Sequence, residues 1–162
     1  IMAGRFLRSR DKEFFDTVNK ELVGDPSSNK SGVINQEIIA YKVSVYETDT
    51  NLYGEASSGK VYKNGIKLAC IIEAEDFDFQ TSEFGPDLSH NASFSFIRQA
   101  LRDVSFVPDI GDVFEWNYTF WEIATINENQ LLAGMETNNH SVTCNGFLTD
   151  PTTVGLNRSR GY

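Results

Sequence analysis

Residues 113–126 read VFEWNYTFWEIATI. Val113–Trp116 and Phe120–Ile126 alternate large apolar with polar positions around a short turn at Asn117–Thr119, the period of two that marks a half-buried strand. Phe114 and Trp116 share one face of the first run, and Trp121 and Ile123 share a face of the second. Cross-strand aromatic pairs of this kind stabilise a sheet by roughly 0.2–1 kcal/mol each. The stretch therefore predicts an antiparallel hairpin and a mainly β protein.

Working outward, the same period recurs. Toward the C-terminus, Asn127–Asn129 is read as a turn, Gln130–Ala133 as a further pairing segment and Ser141–Leu148 as a closing strand with Val142 and Cys144 in alternation. After Asp150-Pro151 the chain becomes a polar tail. Toward the N-terminus, Pro108 and Gly111-Asp112 form a turn. Phe94 and Phe96 open a strand, and residues 97–104 continue it irregularly or form one or two helical turns. Ile66–Glu75 is a dense strand run, preceded by Asn64-Gly65, a strong hairpin signal after Val61-Tyr62. Ile39, Tyr41, Val43 and Val45 alternate within Ile38–Glu47. Thr48–Gly59 and Asp76–Asn91 are long loops, the second acidic and aromatic; long loops in compact domains tend to carry function.

Ahead of this body, residues 10–23 have helical spacing. Phe14, Phe15, Val18 and Leu22 make one apolar stripe, Ser9 can cap the start, and Gly24 before Asp25-Pro26 stops the helix. The expected architecture is a small β-barrel or sandwich with an N-terminal helix and arm and an extended C-terminal tail. Residues 1–36 form the arm, helix and linker, 37–150 the β body, and 151–162 the tail. At 162 residues this is one domain, with enough apolar content for a packed core.

Charge is unevenly placed. The chain has 14 basic and 23 acidic side chains, a net of −9. Arg5, Arg8, Arg10 and Lys12 crowd the first twelve positions, and Arg158 and Arg160 the last five; residues 13–150 hold 8 basic and 22 acidic groups, a net of −14. An acidic body with basic ends cannot wrap DNA, which needs many Lys and Arg on phosphate. It can line a passage along which DNA slides, because acidic walls repel phosphate. The basic ends are read as solvated tails or as contacts to an acidic neighbour.

Little here resembles reaction chemistry. Cys70 and Cys144 lie in apolar, β-like runs without zinc-ligand spacing, and neither has a basic neighbour to lower its pKa; the default is two buried free thiols, with a disulfide allowed but not required. His90 and His140 sit beside Asn in polar segments and make no metal pattern. Glu73, Glu75, Asp76 and Asp78 form the densest acidic cluster, which paired carboxylates could turn to acid–base work or divalent-ion binding; a solvated sheet edge is the plainer reading. Asp109, Asp112 and Glu115 look like ordinary turn chemistry. No nucleophile elbow or phosphate loop occurs, and five N-x-S/T sequons (Asn29, Asn91, Asn117, Asn139, Asn157) carry little weight, since no leader is expected. No apolar run approaches the roughly 20 residues of a membrane span, and the expected setting is cytoplasm-like. The expectation is no enzyme, no cofactor and no metal.

Aromatics at strand positions (Phe94, Phe96, Phe114, Trp121) are core candidates. The apolar residues ahead of the β body, Phe6, Leu7, Phe14 and Phe15, need another partner: the barrel itself or a neighbouring subunit.

Several stretches resemble the neck proteins of T-even-like tailed phages. They are Phe94-Ser95-Phe96-Ile97-Arg98 with Leu101, Val107-Pro108-Asp109-Ile110-Gly111-Asp112-Val113, Trp121-Glu122-Ile123, Glu128-Asn129-Gln130-Leu131-Leu132-Ala133-Gly134, and Thr143-Cys144. Thr50-Asn51-Leu52-Tyr53-Gly54-Glu55-Ala56 with Lys60 and Tyr62, and Asp76 followed by Phe84-Gly85-Pro86-Asp87, belong to the same likeness, which spans roughly residues 9–150. The chain is shorter than the neck protein of the best-known T-even phages. The resemblance implies a β-barrel subunit of a ring, commonly six-fold, that closes the head between a portal-side adaptor and the tail. Such a ring retains packaged DNA and offers a surface for a tail terminator or another tail-side protein. The implied site is the virion neck, after assembly in the host cytoplasm, with genomic DNA passing without sequence-specific binding and no membrane partner.

Under that reading the expected partner contacts are Phe6, Leu7, Arg8, Arg10, Phe14, Phe15, Val18, Leu22, Phe77, Phe79, Phe84, Asp87, Arg158 and Arg160. Glu73, Glu75, Asp76, Asp78 and Glu83 are the candidates to face the channel. The alternative function is a monomeric β-barrel that binds single-stranded nucleic acid or glycan through an aromatic face.

Overall fold

The computed structural model describes residues 8–25, 30–44, 48, 60–74, 78–82, 85–131, 139–150 and 154–156. In chain order the elements are α1 (Ser9–Val23), β1 (Gly24–Asp25), β2 (Lys30–Ser31), β3 (Glu37–Tyr41), β4 (Ile66–Ala69), β5 (Ile71–Ala74), β6 (Asp78–Ser82), β7 (Gly85–Ser89), β8 (Asn91–Ile97), α2 (Arg98–Asp103), β9 (Val113–Trp116), β10 (Thr119–Leu131) and β11 (Asn139–Thr149).

Seven strands make one antiparallel sheet in the order β4-β3-β9-β10-β11-β8-β5. Its two edges belong to one stretch of chain. Only Cys70 separates β4 from β5, so Ile66–Ala74 runs as a bent strand that pairs with β3 through its first half and with β8 through its second. The covalent link holds the two edges together at Cys70 and curls the sheet into a half-barrel. At the bend Cys70 is fully buried, and its N–H donates to the Gln36 carbonyl at 3.1 Å.

Hydrophobic residues from the inner face fill the shell: Ile38, Ala40, Leu68, Phe94, Phe96, Phe114, Trp121, Ile123, Val142 and Cys144 are all buried. Phe114 meets Phe94 at 5.2 Å and Phe96 at 5.4 Å, both edge to face, the arrangement that ring quadrupoles favour. The Trp121 indole N–H donates to the Thr119 hydroxyl at 2.9 Å, so its one polar atom is satisfied. The mainly β architecture and the aromatic core expected from the alternation are both present.

Several local expectations are corrected. Ile38 and Ala40 point inward, while Ile39 and Tyr41 are half-buried on the outer face, a choice the alternation left open. Asn64-Gly65 makes no two-residue hairpin turn, which would need positive φ at one or both residues; positive φ occurs at neither. Instead the chain pairs onward across it. Ala40↔Ile66 and Val43↔Tyr62 differ by one position in register, which makes the site a bulge. Asn127–Asn129 is not a turn either, because β10 continues to Leu131 opposite β11. The Asp76–Asn91 loop contains a two-stranded ribbon, β6 paired with β7, and the polar linker after α1 contains the short β1–β2 pair. Residues 97–104 do take the helical option, as α2.

Outside the shell, Val154 from the C-terminal segment is buried against Val113 and Phe120. The tail is thus docked at that point.

Candidate functional site

α1 sits on the barrel by its last turn. Val23 packs with Ala69, Ile97 and Ala100. Lys20 reaches Asp103 at 2.6 Å, and that contact holds the Asp103 carboxyl below the usual carboxylate range. The carbonyls of Glu21 and Leu22 accept the Val33 and Ile34 N–H groups, which satisfies part of the open helix end. Gly24 ends the helix at φ +104, a conformation that costs a side-chain-bearing residue strain. At the other end Ser9 is not the cap: it is the first helical residue, and the Asp11 carboxylate accepts the Arg8 N–H at 3.2 Å.

The helix turns Phe14, Phe15 and Val18 away from this seat, while Leu22 borders the hollow beneath it. Phe14 is 64% exposed, Phe15 44%, Val18 43% and Leu22 41%. Phe14 and Phe15 thus remain largely open to solvent and are not buried against the barrel. Arg8 and Arg10 are exposed beside the stripe. A 230 Å³ hollow beneath the helix is lined by Asn19, Leu22, Ile71, Glu73, Ser95 and His140, among others.

Other expected contact residues fall differently. Phe6, Leu7, Phe77, Phe84, Arg158 and Arg160 lie outside the described residues, as do Glu75, Asp76 and Glu83. Glu73 is exposed on β5. Asp78, Phe79 and Asp87 belong to the β6–β7 ribbon, where Asp78 stands opposite Ser89, Phe79 opposite Leu88 and Gln80 opposite Asp87.

Sequence reasoning missed a second surface. The loop Phe106–Asp112, read as ordinary turn chemistry, exposes Val107 at 64% and Ile110 at 71%. A polar knot holds it. The Asp112 carboxylate, 2% exposed, accepts the Val43 N–H at 3.0 Å and the Asp109 N–H at 2.9 Å. Lys42 lies 3.6 Å from Asp112 and donates to Asp109 and to the Val107 carbonyl, each at 2.6 Å. Gly111, at φ +92, donates to the Ile123 carbonyl, and Ile123 donates back to the Asp112 carbonyl. The signal in the sequence was present as two apolar residues flanking Pro-Asp, but its meaning depends on Lys42, about seventy positions earlier.

At the far end of β9 lies a shallow cleft of about 440 Å³, lined by Glu37, Ile39, Lys67, Trp116, Asn117 and Tyr118 with Glu115 beneath. Glu115 is buried, and the Tyr41 hydroxyl donates to it at 2.9 Å. Burial, with help from that carboxylate, pushes the Tyr41 hydroxyl up to about 12.

Both cysteines are buried and free, and burial pushes each thiol up to about 12. They stay protonated at neutral pH and are poor nucleophiles or metal ligands in the folded chain. Among the described residues no cluster of His, Cys, Asp or Glu is placed to hold a metal ion, and no helix is long and apolar enough to cross a membrane.

No protein-family model matches the chain. No curated protein matches it. Among solved structures it is similar to a chain of the "Virion of native gene transfer agent (GTA) particle", with a TM-score of 0.47 and 12% identity over 71% of this chain and 94% of that one. A likeness of that size carries no conclusion about function.

Proposed function

We propose that the chain is a virion structural protein that forms a ring in the neck of a tailed, phage-like particle and catalyses no reaction. The observation that carries the reading is α1: a helix seated on the barrel by its last turn, with Phe14, Phe15, Val18 and Leu22 facing solvent. A monomer gains nothing from that display, whereas burying the exposed half of such side chains against a partner contributes roughly 1 kcal/mol each.

The resemblance to phage neck proteins supports the location, and the charge supports the role. A body with a net charge of −14 over residues 13–150 repels phosphate, which suits a passage through which DNA must move without sticking. In this reading the ring lies between the portal-side adaptor and the tail, closes the head and retains DNA, while α1 grips the adjacent connector protein. Immunogold labelling of particles with an antibody to this chain tests the location, alongside native mass spectrometry of the purified protein. Gold at the head–tail joint and a closed cyclic mass are expected. Label on the capsid shell or along the tail tube, or a protein that stays monomeric at high concentration, overturns the reading.

A further inference from the structure

We infer that copies of this chain join side by side through the Phe106–Asp112 loop of one and the β9-end cleft of the next, an inference that rests on the ring reading above. The two surfaces differ and sit at opposite ends of β9. The loop enters that strand at Val113, and the cleft is built around its last residue, Trp116, and the following turn. Four strand residues set them about 10 Å apart along the strand direction. A contact between unlike surfaces is head-to-tail, and head-to-tail contacts propagate until they close into a ring.

Three features match loop to cleft. First, the loop presents Val107 and Ile110 as exposed apolar groups, and the cleft offers the apolar surfaces of Ile39, Trp116 and Tyr118. Second, the charges are complementary. Asp109 has a side chain 67% exposed at the loop tip, while Lys67 is exposed at the cleft and forms no ion pair among the described residues. Third, the knot around Asp112 holds the loop in one shape before any partner arrives, which removes much of the ordering cost of binding. The occupant of the cleft is thus a second copy of this chain, with Val107 and Ile110 seated in it and Asp109 against Lys67.

Two variants test this in the full chain: Ile110→Asp, which spoils the loop and leaves the cleft, and Lys67→Glu, which spoils the cleft and leaves the loop. Both positions are exposed, and unchanged circular dichroism spectra and melting curves confirm folding; Val107→Asp replaces Ile110→Asp if that variant misfolds. By sedimentation velocity, each variant alone is expected to need about 30-fold more protein than wild type to assemble, the size of a lost hot spot. Mixed, the two give a one-to-one dimer, because one intact loop still meets one intact cleft. Wild-type rings that persist unchanged in Ile110→Asp overturn the loop–cleft contact and leave the ring reading standing. Monomeric variants that fail to pair on mixing overturn it as well, and a wild type that never self-associates overturns both.

Discussion

Four side chains show how burial, reinforced by nearby acidic groups, sets chemistry in this protein. Tyr41 and Tyr62 are pushed up to about 12 from 10.0, and Cys70 and Cys144 to about 12 from 9.0, in each case first by loss of solvent around the ionised form. The consequence for stability has a definite sign. A raised folded pKa means that the native state holds protons the unfolded chain has released, so the contribution is complete below pH 9 and is lost as pH rises toward 12. Each group removes up to about 1.4 kcal/mol per pH unit in its window. Melting temperatures measured from pH 8 to pH 12 should be flat at first, begin to fall near pH 9 and fall more steeply above pH 10. Tyrosinate absorbance should show two of the six tyrosines ionising late, together with unfolding. Tyrosines that all titrate near 10 in a folded protein would contradict this.

Among the elements, the Phe106–Asp112 loop is the most demanding, because its form depends on a single buried carboxylate. Asp112 serves two backbone N–H groups and faces the Lys42 ammonium. Asp112→Ala leaves those donors without a partner, and unsatisfied buried donors cost about 1–3 kcal/mol each. A loss of about 2–4 kcal/mol in urea unfolding is expected, with faster hydrogen exchange at the Val43 and Asp109 amides. A variant as stable as wild type, with both amides still protected, would show that the knot is not what holds the loop. Polarity in this loop was visible along the chain, but its partner was not: Lys42 approaches only because the sheet brings the end of β3 beside the start of β9.

For the whole molecule, the question is whether α1 belongs to the fold or to the assembly. Its seat uses Val23, Lys20 and the hydrogen bonds from Val33 and Ile34, while Phe14 and Phe15 take no part. Phe14→Ser with Phe15→Ser should leave the melting temperature within about 2 °C of wild type, since surface substitutions away from structural features change stability by about 0.5 kcal/mol or less. The same variant should lose incorporation into particles, measured by immunoblot of purified virions. Normal incorporation would remove α1 from the assembly role, and a large drop in melting temperature would place it in the fold instead.

By itself the sequence determined the fold class, the aromatic core and the position of the N-terminal helix, because strand alternation and helical stripes are local periods that survive any tertiary arrangement. It also set Phe14 and Phe15 apart as apolar residues outside the strands. Only the tertiary structure decided which way β3 faces, that Asn64-Gly65 bulges and does not turn, and that one bent strand through Cys70 joins both edges of the sheet. Those outcomes depend on register between distant segments, and a one-residue slip exchanges the two faces of a strand while leaving its pattern unchanged. The hairpin at 113–126 shows both sides of this. Its strands and turn were legible in fourteen residues, yet the loop and cleft proposed for assembly take shape through Lys42, Lys67 and Ile39, which only folding brings there.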